Sequence, residues 1–276
     1  TGQATLHHVQ LTGLSAASPY HYRVTTGAAQ SRTFHFHTPA LPEAEATTRL
    51  MAVSDVQRDG NSPDKFREVT EDGMVAYATE HFDPEITKAL DMVLMVGDLV
   101  NSGYNLDHWR TEYFAQATDL MASVRFYPVP GNHEANSPYY FNYHVLPTNG
   151  SELYAEHWWT FDQSNVKIIG LDSNNGYRRD EQIEWLEDVL DATCDNAQID
   201  FVFAELHHPH RSELWPDGNT AFTGRVADSL SLFSSACGKP SVHFYGHTHG
   251  YSRGQSRDHK HLWINVATAG GAIDHW

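Results

Sequence analysis

Five short polar segments, each directly after an apolar run, contain the side chains best suited to chemistry. They occupy positions 54–57, 97–98, 131–134, 207–210 and 246–249. Together they supply carboxylate, amide and imidazole donors: Asp55, Asp98, Asn132, His207, His247 and His249. None of these donors is a thiolate, and mixed oxygen and nitrogen ligation suits Fe, Mn, Zn, Co or Ni. The residue types therefore predict a transition-metal site.

The number of these donors is right for two metal ions rather than one. One ion takes about four to six ligands, and bridging water completes the set for a second ion. Two ions about 3.5–4 Å apart can bind a phosphate and convert a bridging water into hydroxide at neutral pH. Asp98 is the best placed carboxylate to bridge them. Each segment alone could be a helix cap or a turn, so the hypothesis depends on their occurring together.

The elements that must position these segments are predicted from apolar runs that alternate with amphipathic stretches. The predicted strands are 50–53, 92–96, 126–129, 166–171, 201–206, 242–245 and 262–267. Helices are predicted over 109–121, with Asp107 as N-cap, and after Asp180. Continuous apolar runs are typical of strands covered on both faces, so the pattern predicts a layered α/β domain. Ligands of such sheets bind beyond the carboxyl ends of the strands, where all five segments lie.

The first forty residues have a different pattern. Short alternating runs predict strands over 6–11, 20–25 and 33–38, and Leu14 and Tyr20 resemble the corner of a fibronectin type III or immunoglobulin-like sandwich. Three strands cannot close a sandwich of about seven, so we expect its remainder upstream. The predicted division is a partial fibronectin type III-like β segment at 1–40, a linker at 41–47 and the α/β domain at 48–276. Further chain is expected after Trp276.

Composition excludes several function classes. A formal net charge of −17 argues against a nucleic-acid backbone as partner, and no apolar run is long enough to span a membrane. A GxSxG elbow and a Walker A loop are absent, and no Ser, Cys or Asp nucleophile has an adjacent base, so no phosphoenzyme is expected. Cys194 and Cys237 lack metal-type spacing; a disulfide and two free buried thiols both stay open.

The motifs GNHE at 131–134 and GHTH at 246–249, in order with the other segments, resemble those of the calcineurin-like metallophosphoesterase superfamily. The resemblance runs from about Arg49 to about Tyr251. The upstream β segment and the sequence around Pro209 and Gly250 are similar to bacterial relatives of the purple acid phosphatases. This resemblance implies two mixed β-sheets flanked by helices, a secreted or periplasmic protein, and hydrolysis of small phosphate esters by a metal-bridging hydroxide.

The resemblance also assigns roles to single residues. The first metal ion would be bound by Asp55, Asp98 and His249. The second ion would be bound by four residues: Asp98, Asn132, His207 and His247. His133 would assist the leaving-group oxygen as a catalytic residue, with Glu134 orienting it.

Two positions depart from the family pattern and affect the metals. Gln57 stands where the superfamily places His, so it is either a ligand of the first ion or a hydrogen-bonding neighbour. Purple acid phosphatases place a metal-binding Tyr at the position of Asn101, whereas Tyr104 comes three residues later. The tyrosinate is therefore expected to be absent. The expected cofactors are two divalent or mixed-valence ions of Fe, Mn or Zn.

The substrate side is less constrained by sequence. His210, Arg211, Tyr251 and Arg253 follow metal-binding segments, and His210 and Arg253 are our candidate phosphate-binding residues; ordinary loop polarity is an equal explanation. The predicted activity is a phosphomonoesterase. A phosphodiesterase or nucleotide hydrolase with the same metals, a non-catalytic metal-binding module and an adhesion module remain alternatives.

Overall fold

The computed structural model describes residues 5–44 and 46–274. The strands are β1 Pro19–Tyr22, β2 Thr25–Thr26, β3 Ala29–Gln30, β4 Phe34–His37, β5 Leu50–Val53, β6 Met92–Met95, β7 Arg125–Pro128, β8 Trp159–Gln163, β9 Val166–Gly170, β10 Phe201–Glu205, β11 Ser241–Tyr245, β12 Tyr251–Gln255 and β13 His261–Val266. The α-helices are α1 Lys65–Glu68, α2 Ala76–His81, α3 Ile86–Ala89, α4 Leu106–His108, α5 Thr118–Met121, α6 Pro138–Tyr143, α7 Asp180–Asp195 and α8 Ala221–Cys237, with π-helical turns at Val69–Val75 and Trp109–Tyr113.

Two sheets form the α/β domain. The smaller one has the order β5-β6-β7 and is parallel throughout. The larger one has the order β12-β13-β11-β10-β9-β8 and is mixed, because its edge strands β8 and β12 run antiparallel to their neighbours. All seven predicted strands of this domain are present, so the layered α/β architecture is confirmed.

The core explains why the central strands read as continuous apolar runs. Ile168 of β9 packs in the cluster that also contains strand β6 of the smaller sheet. The next residue, Ile169, packs in a second cluster with Leu186 of α7 and Leu230 of α8. Successive side chains of β9 thus enter different apolar layers, and burial of each such side chain stabilises the fold by about 1.5–3 kcal/mol. The rigid sandwich fixes the strand ends that carry the polar segments.

Three local predictions were wrong. Strands β8 and β12 were not predicted. The segment 109–121 is not one helix but a succession of short helical pieces. Its N-cap is Asn105 rather than Asp107: the Asn105 side chain accepts a hydrogen bond from the Asp107 N–H at 3.0 Å. The Asn105 side chain thereby satisfies one of the free N–H groups of the first helical turn.

The N-terminal segment has short strands only in its second half. β1 pairs with β4, and β2 with β3, whereas residues 6–11 do not form the predicted strand. The Tyr20 hydroxyl accepts a hydrogen bond from the Ser15 N–H at 2.7 Å, and the Tyr22 hydroxyl donates to the Ala122 carbonyl at 2.6 Å. The segment therefore contacts the α/β domain. Its fibronectin type III character stays a prediction, and Trp276 lies outside the described residues.

The two cysteines form a disulfide between the C-terminal ends of α7 and α8. Cys194 and Cys237 have their Cα atoms 5.6 Å apart, a normal separation for this bond. Of the two possibilities left open by sequence, the structure has the disulfide.

No helix among residues 5–44 and 46–274 is both long enough and apolar enough to cross a membrane.

Candidate metal centre

Strained backbone lies at three of the predicted ligands. Asp55, Asp98 and His247 follow β5, β6 and β11, and their φ angles are +56°, +55° and +67°. Left-handed backbone costs energy for any residue with a Cβ and is concentrated at functional sites. The side chains of Asp98 and His247, which follow strands of different sheets, both meet the ring of His207.

Two glycines let these loops approach one another. A Cβ on Gly131 would lie 2.2 Å from Asp98 Oδ1, and a Cβ on Gly246 would lie 2.3 Å from Asp55 Oδ2. Both distances are far below van der Waals contact, so only glycine fits against these carboxylates. The Gly-Asn and Gly-His pairs of the sequence motifs are thus explained by close packing.

Three donors surround the Nε2 atom of His207. It lies 3.1 Å from Asp98 Oδ2, 3.1 Å from Asn132 Oδ1 and 3.2 Å from His247 Nδ1. Ligands about 2.0–2.1 Å from one ion are separated by about 2.9–3.4 Å in octahedral or tetrahedral geometry. The spacing of this group fits a single metal ion. The ligand atoms of Asp98, His207 and His247 all lie within 4.8 Å of one another.

A second group of donors consists of Asp55, Gln57 and His249. His249 Nε2 is 3.0 Å from Asp55 Oδ1 and 3.3 Å from the Gln57 side-chain amide. Asp55 Oδ1 and Gln57 Oε1 are buried and have no hydrogen-bond partner among the described residues. Buried acceptors are rarely left unpaired, so these two oxygens fit a bound cation. Gln57 thus has the contacts expected of either a ligand or a neighbour of His249.

The hydrogen bonds of the histidines fix which nitrogen faces each group. His207 Nδ1 donates to the Val96 carbonyl at 2.9 Å, and His249 Nδ1 donates to the Ala272 carbonyl at 2.5 Å. Each Nε2 therefore directs its lone pair toward a carboxylate oxygen, and a proton or metal ion must lie between them. This arrangement is typical of imidazoles that bind metal through Nε2.

The electrostatics of the centre favour positive charge. Burial opposes protonation of His207, but the carboxylates of Asp98 and Asp55 outweigh it and raise the pKa of His207 to about 10. Burial lowers the pKa of His247 to about 4, and the neighbouring His207 adds to the effect. The buried carboxylates thus demand a cation, while His247 keeps a free lone pair for it.

His133 lies beside the centre, and its orientation differs from expectation. Its Nδ1 donates to the Asn101 carbonyl at 2.9 Å, so its Nε2 faces Asp98 Oδ2 at 3.7 Å. The Glu134 side chain instead accepts three backbone hydrogen bonds, from Asp98, Leu99 and Gly131, at 2.7–2.9 Å. The prediction that Glu134 orients the His133 ring is therefore wrong, because Glu134 ties the two loops together.

The predicted substrate residues are less closely associated with the centre. His210 turns toward α8, where its Nδ1 lies 3.2 Å from the Thr220 carbonyl, and it lines a cavity of about 650 Å³ whose lining contains none of the predicted metal ligands. The packing of α8 holds the His210 ring, because a Cβ on Gly224 would lie only 2.6 Å from it. Its role in substrate binding stays a prediction. Arg253 is exposed on the edge strand β12, and its role stays a prediction.

Asn101 stands at the position where purple acid phosphatases have their metal-binding tyrosine. The Asn101 side chain donates to the Arg58 carbonyl at 2.9 Å. Tyr104 is 61% exposed, with its hydroxyl 3.4 Å from the Asn136 carbonyl. Neither side chain offers a phenolate to the donors.

Sequence reasoning missed Trp215. Its ring stacks on His247, with centroids 4.5 Å apart and planes 23° apart. The only sequence signal is an aromatic residue just before the turn Pro216–Gly218, in a polar stretch between His210 and α8. A side chain that acts by stacking carries no motif, so the pattern of donors could not indicate it.

Comparison with known proteins adds family information. The family described as calcineurin-like phosphoesterase matches residues 48–251. Purple acid phosphatase 15 of Arabidopsis thaliana is 24% identical over 90% of this chain and 49% of its own length. Probable inactive purple acid phosphatase 24 of the same plant is 24% identical over 60% of this chain and 29% of its own length. The purple acid phosphatase PPD1 from yellow lupin has a similar fold, with a TM-score of 0.71 and 15% identity over 96% of this chain and 52% of that one. The chain thus spans about half or less of the length of these relatives.

Proposed function

The chain belongs to the calcineurin-like phosphoesterase family, and we propose that it is a two-metal hydrolase of phosphate monoesters. The observation that carries the proposal is the convergence of Asp98, Asn132 and His247 on His207 Nε2 at 3.1–3.2 Å. It is supported by the unpaired buried oxygens of Asp55 and Gln57 beside it. Both donor groups lie at the strand ends, where open α/β sheets bind ligands.

In this proposal one ion is bound by Asp98, Asn132, His207 and His247. The other ion is bound by Asp55, Asp98 and His249, with Gln57 as a further oxygen donor. When bound, the ions would supply Lewis acidity for the phosphate and hydroxide at neutral pH. The donor set of imidazoles, carboxylates and amides suits Fe, Mn or Zn, and an amide in place of an imidazole favours divalent ions at the first site.

His133 is the proposed proton donor to the leaving group. The Asn101 carbonyl holds its Nδ1–H, so the Nε2 atom is the one that faces Asp98. With 35% of its side chain exposed, His133 is accessible to a substrate in a way that buried His207 is not. A proton on Nε2 can therefore pass to a departing alkoxide, which lowers the barrier to its release.

We further propose an oxidising compartment, either secreted or periplasmic. The Cys194–Cys237 disulfide supports it, because such bonds persist mainly outside the reducing cytosol. The expected substrate is a small phosphate ester.

Two other functions make different predictions for one assay. A phosphodiesterase would use the same donors, and a binding module would bind metal without turnover. The binding module is favoured by the names of two relatives, which are both described as probable inactive purple acid phosphatases.

The test uses p-nitrophenyl phosphate and bis-p-nitrophenyl phosphate with the Mn- and Zn-reconstituted protein. We expect faster turnover of the monoester, loss of both metal and turnover in Asn132→Ala, and loss of turnover with metal retained in His133→Ala. Tyr77→Ala, an exposed site away from the donors, serves as control. Faster diester turnover would select the phosphodiesterase, and two bound metals without turnover of either ester would select the binding module.

A further inference from the structure

His247 is held differently from the other histidines of the metal centre. His207, His249 and His133 each donate Nδ1–H to a backbone carbonyl. His247 instead directs Nδ1 toward His207 Nε2 at 3.2 Å, and its Nε2 has no hydrogen bond to any residue in 5–44 or 46–274. Metal-binding imidazoles almost always have their second nitrogen fixed by a hydrogen bond. Something else must orient this ring.

Stacking replaces the missing hydrogen bond. One face of the His247 ring lies against Trp215, with centroids 4.5 Å apart, and His208 packs against it at 4.4 Å and a 44° tilt. A Cβ on Gly218 would lie 2.5 Å from Cδ2 and 2.6 Å from Nε2 of His247. The imidazole is thus enclosed on its faces and along its outer edge, which leaves Nδ1 directed at the donors.

The segment that carries Trp215 is itself fixed at its base. The Asn219 side chain accepts from the Ser212 N–H at 2.5 Å and donates to the Ser212 carbonyl at 3.3 Å. The Thr220 N–H donates to the Pro209 carbonyl at 2.9 Å. These bonds close the loop 212–219 onto the segment that follows His207. The loop therefore keeps Trp215 in place relative to both histidines.

We propose that Trp215 is a positioning residue for the metal ion at Asp98, Asn132, His207 and His247. It acts through His247 by stacking and leaves the ion at Asp55 and His249 unaffected. The inference rests on the proposed metal function. Trp215 is 45% exposed and belongs to neither apolar core cluster of the described residues.

The test titrates metal-depleted protein with Mn²⁺ or Zn²⁺ and measures bound metal by equilibrium dialysis. Trp215→Ala is expected to weaken one of two sites about 10–100-fold, the range typical of lost outer-shell support, and to leave the other site unchanged. Trp215→Phe, which keeps a stacking ring, is expected to restore binding. Gly218→Ala is a second variant, expected to cause the same selective loss by displacing the His247 ring.

The matched control is Tyr77→Ala. Tyr77 is likewise an exposed aromatic ring stacked on a histidine, His81, with centroids 4.2 Å apart, and its removal is expected to leave both sites intact. Three results would overturn the positioning role while leaving the proposed function standing. They are wild-type affinity at both sites in Trp215→Ala, equal weakening of both sites in that variant, and no rescue by Trp215→Phe. Failure of the wild-type chain to bind two ions would overturn both.

Discussion

Replacement of Glu134 by Gln probes how the two metal-binding loops are held together. Oε2 of Glu134 accepts from the N–H groups of Asp98 and Gly131, and Oε1 accepts from Leu99. In Glu134→Gln the amide oxygen can keep the first pair, but the NH₂ group then faces the Leu99 N–H. The Leu99 N–H and the new NH₂ group are then both buried donors without an acceptor. Each costs about 1–3 kcal/mol, so the free energy of unfolding should fall by roughly 2–6 kcal/mol.

The assay is chemical denaturation of the metal-depleted protein, with Glu205→Gln as the matched control. Glu205 is also fully buried, but burial raises its pKa, and neither of its oxygens has a hydrogen bond among the described residues. Its carboxyl group has no hydrogen bond to lose and is similar in shape to an amide, so its substitution should cost clearly less. A Glu134→Gln variant with wild-type stability, or one no less stable than Glu205→Gln, would refute the assigned role of Glu134.

The remaining predictions concern packing, pH and the cross-link. Gly131→Ala should abolish metal binding in a dialysis measurement, because its Cβ would lie 2.2 Å from a carboxylate oxygen, whereas Gly60→Ala has open space and should bind normally. Burial lowers the pKa of His144 from 6.5 to about 4. Between these two pH values the unfolded chain binds a proton at His144 and the folded chain does not. The free energy of unfolding should therefore fall by up to about 3 kcal/mol as the pH drops through this range. His144→Phe should flatten this pH dependence in denaturation curves; an unchanged slope would contradict the assignment. Replacing Cys194 and Cys237 by Ser opens a cross-link that spans 43 residues, and should lower the free energy of unfolding by about 4 kcal/mol.

Much of the fold could be predicted because buried strands appear in the sequence as runs of apolar residues. Every residue of β6 is apolar and buried, and Ile168 and Ile169 of β9 enter two different apolar clusters, so both runs stand out. The polar residues that end these runs then mark the strand termini. Their placement at one edge follows from parallel topology.

The elements that were not predicted lack such a run of apolar residues. β12 is an exposed edge strand with no apolar alternation, and β8 is a short edge strand in which only Trp159 and Phe161 are apolar. In the segment 109–121 the apolar spacing is helical, but π and 3₁₀ turns interrupt the helix. Tertiary packing outweighed local propensity in each case.

Donor residues could be predicted from the sequence, whereas the contacts that orient them could not. Asp55, Asp98 and His207 are recognisable from chemical type and position. The bonds of Glu134 to backbone N–H groups and the stacking of Trp215 depend on loops distant in sequence meeting in space. No spacing rule relates position 215 to position 247.

Anomalous diffraction from a crystal of the Mn- or Zn-loaded protein would test the two-metal assignment most directly. Two peaks are expected, one on each side of Asp98: the first beside His207 and His247, and the second beside Asp55 and His249. A single peak, or peaks away from these side chains in a fully loaded crystal, would contradict it.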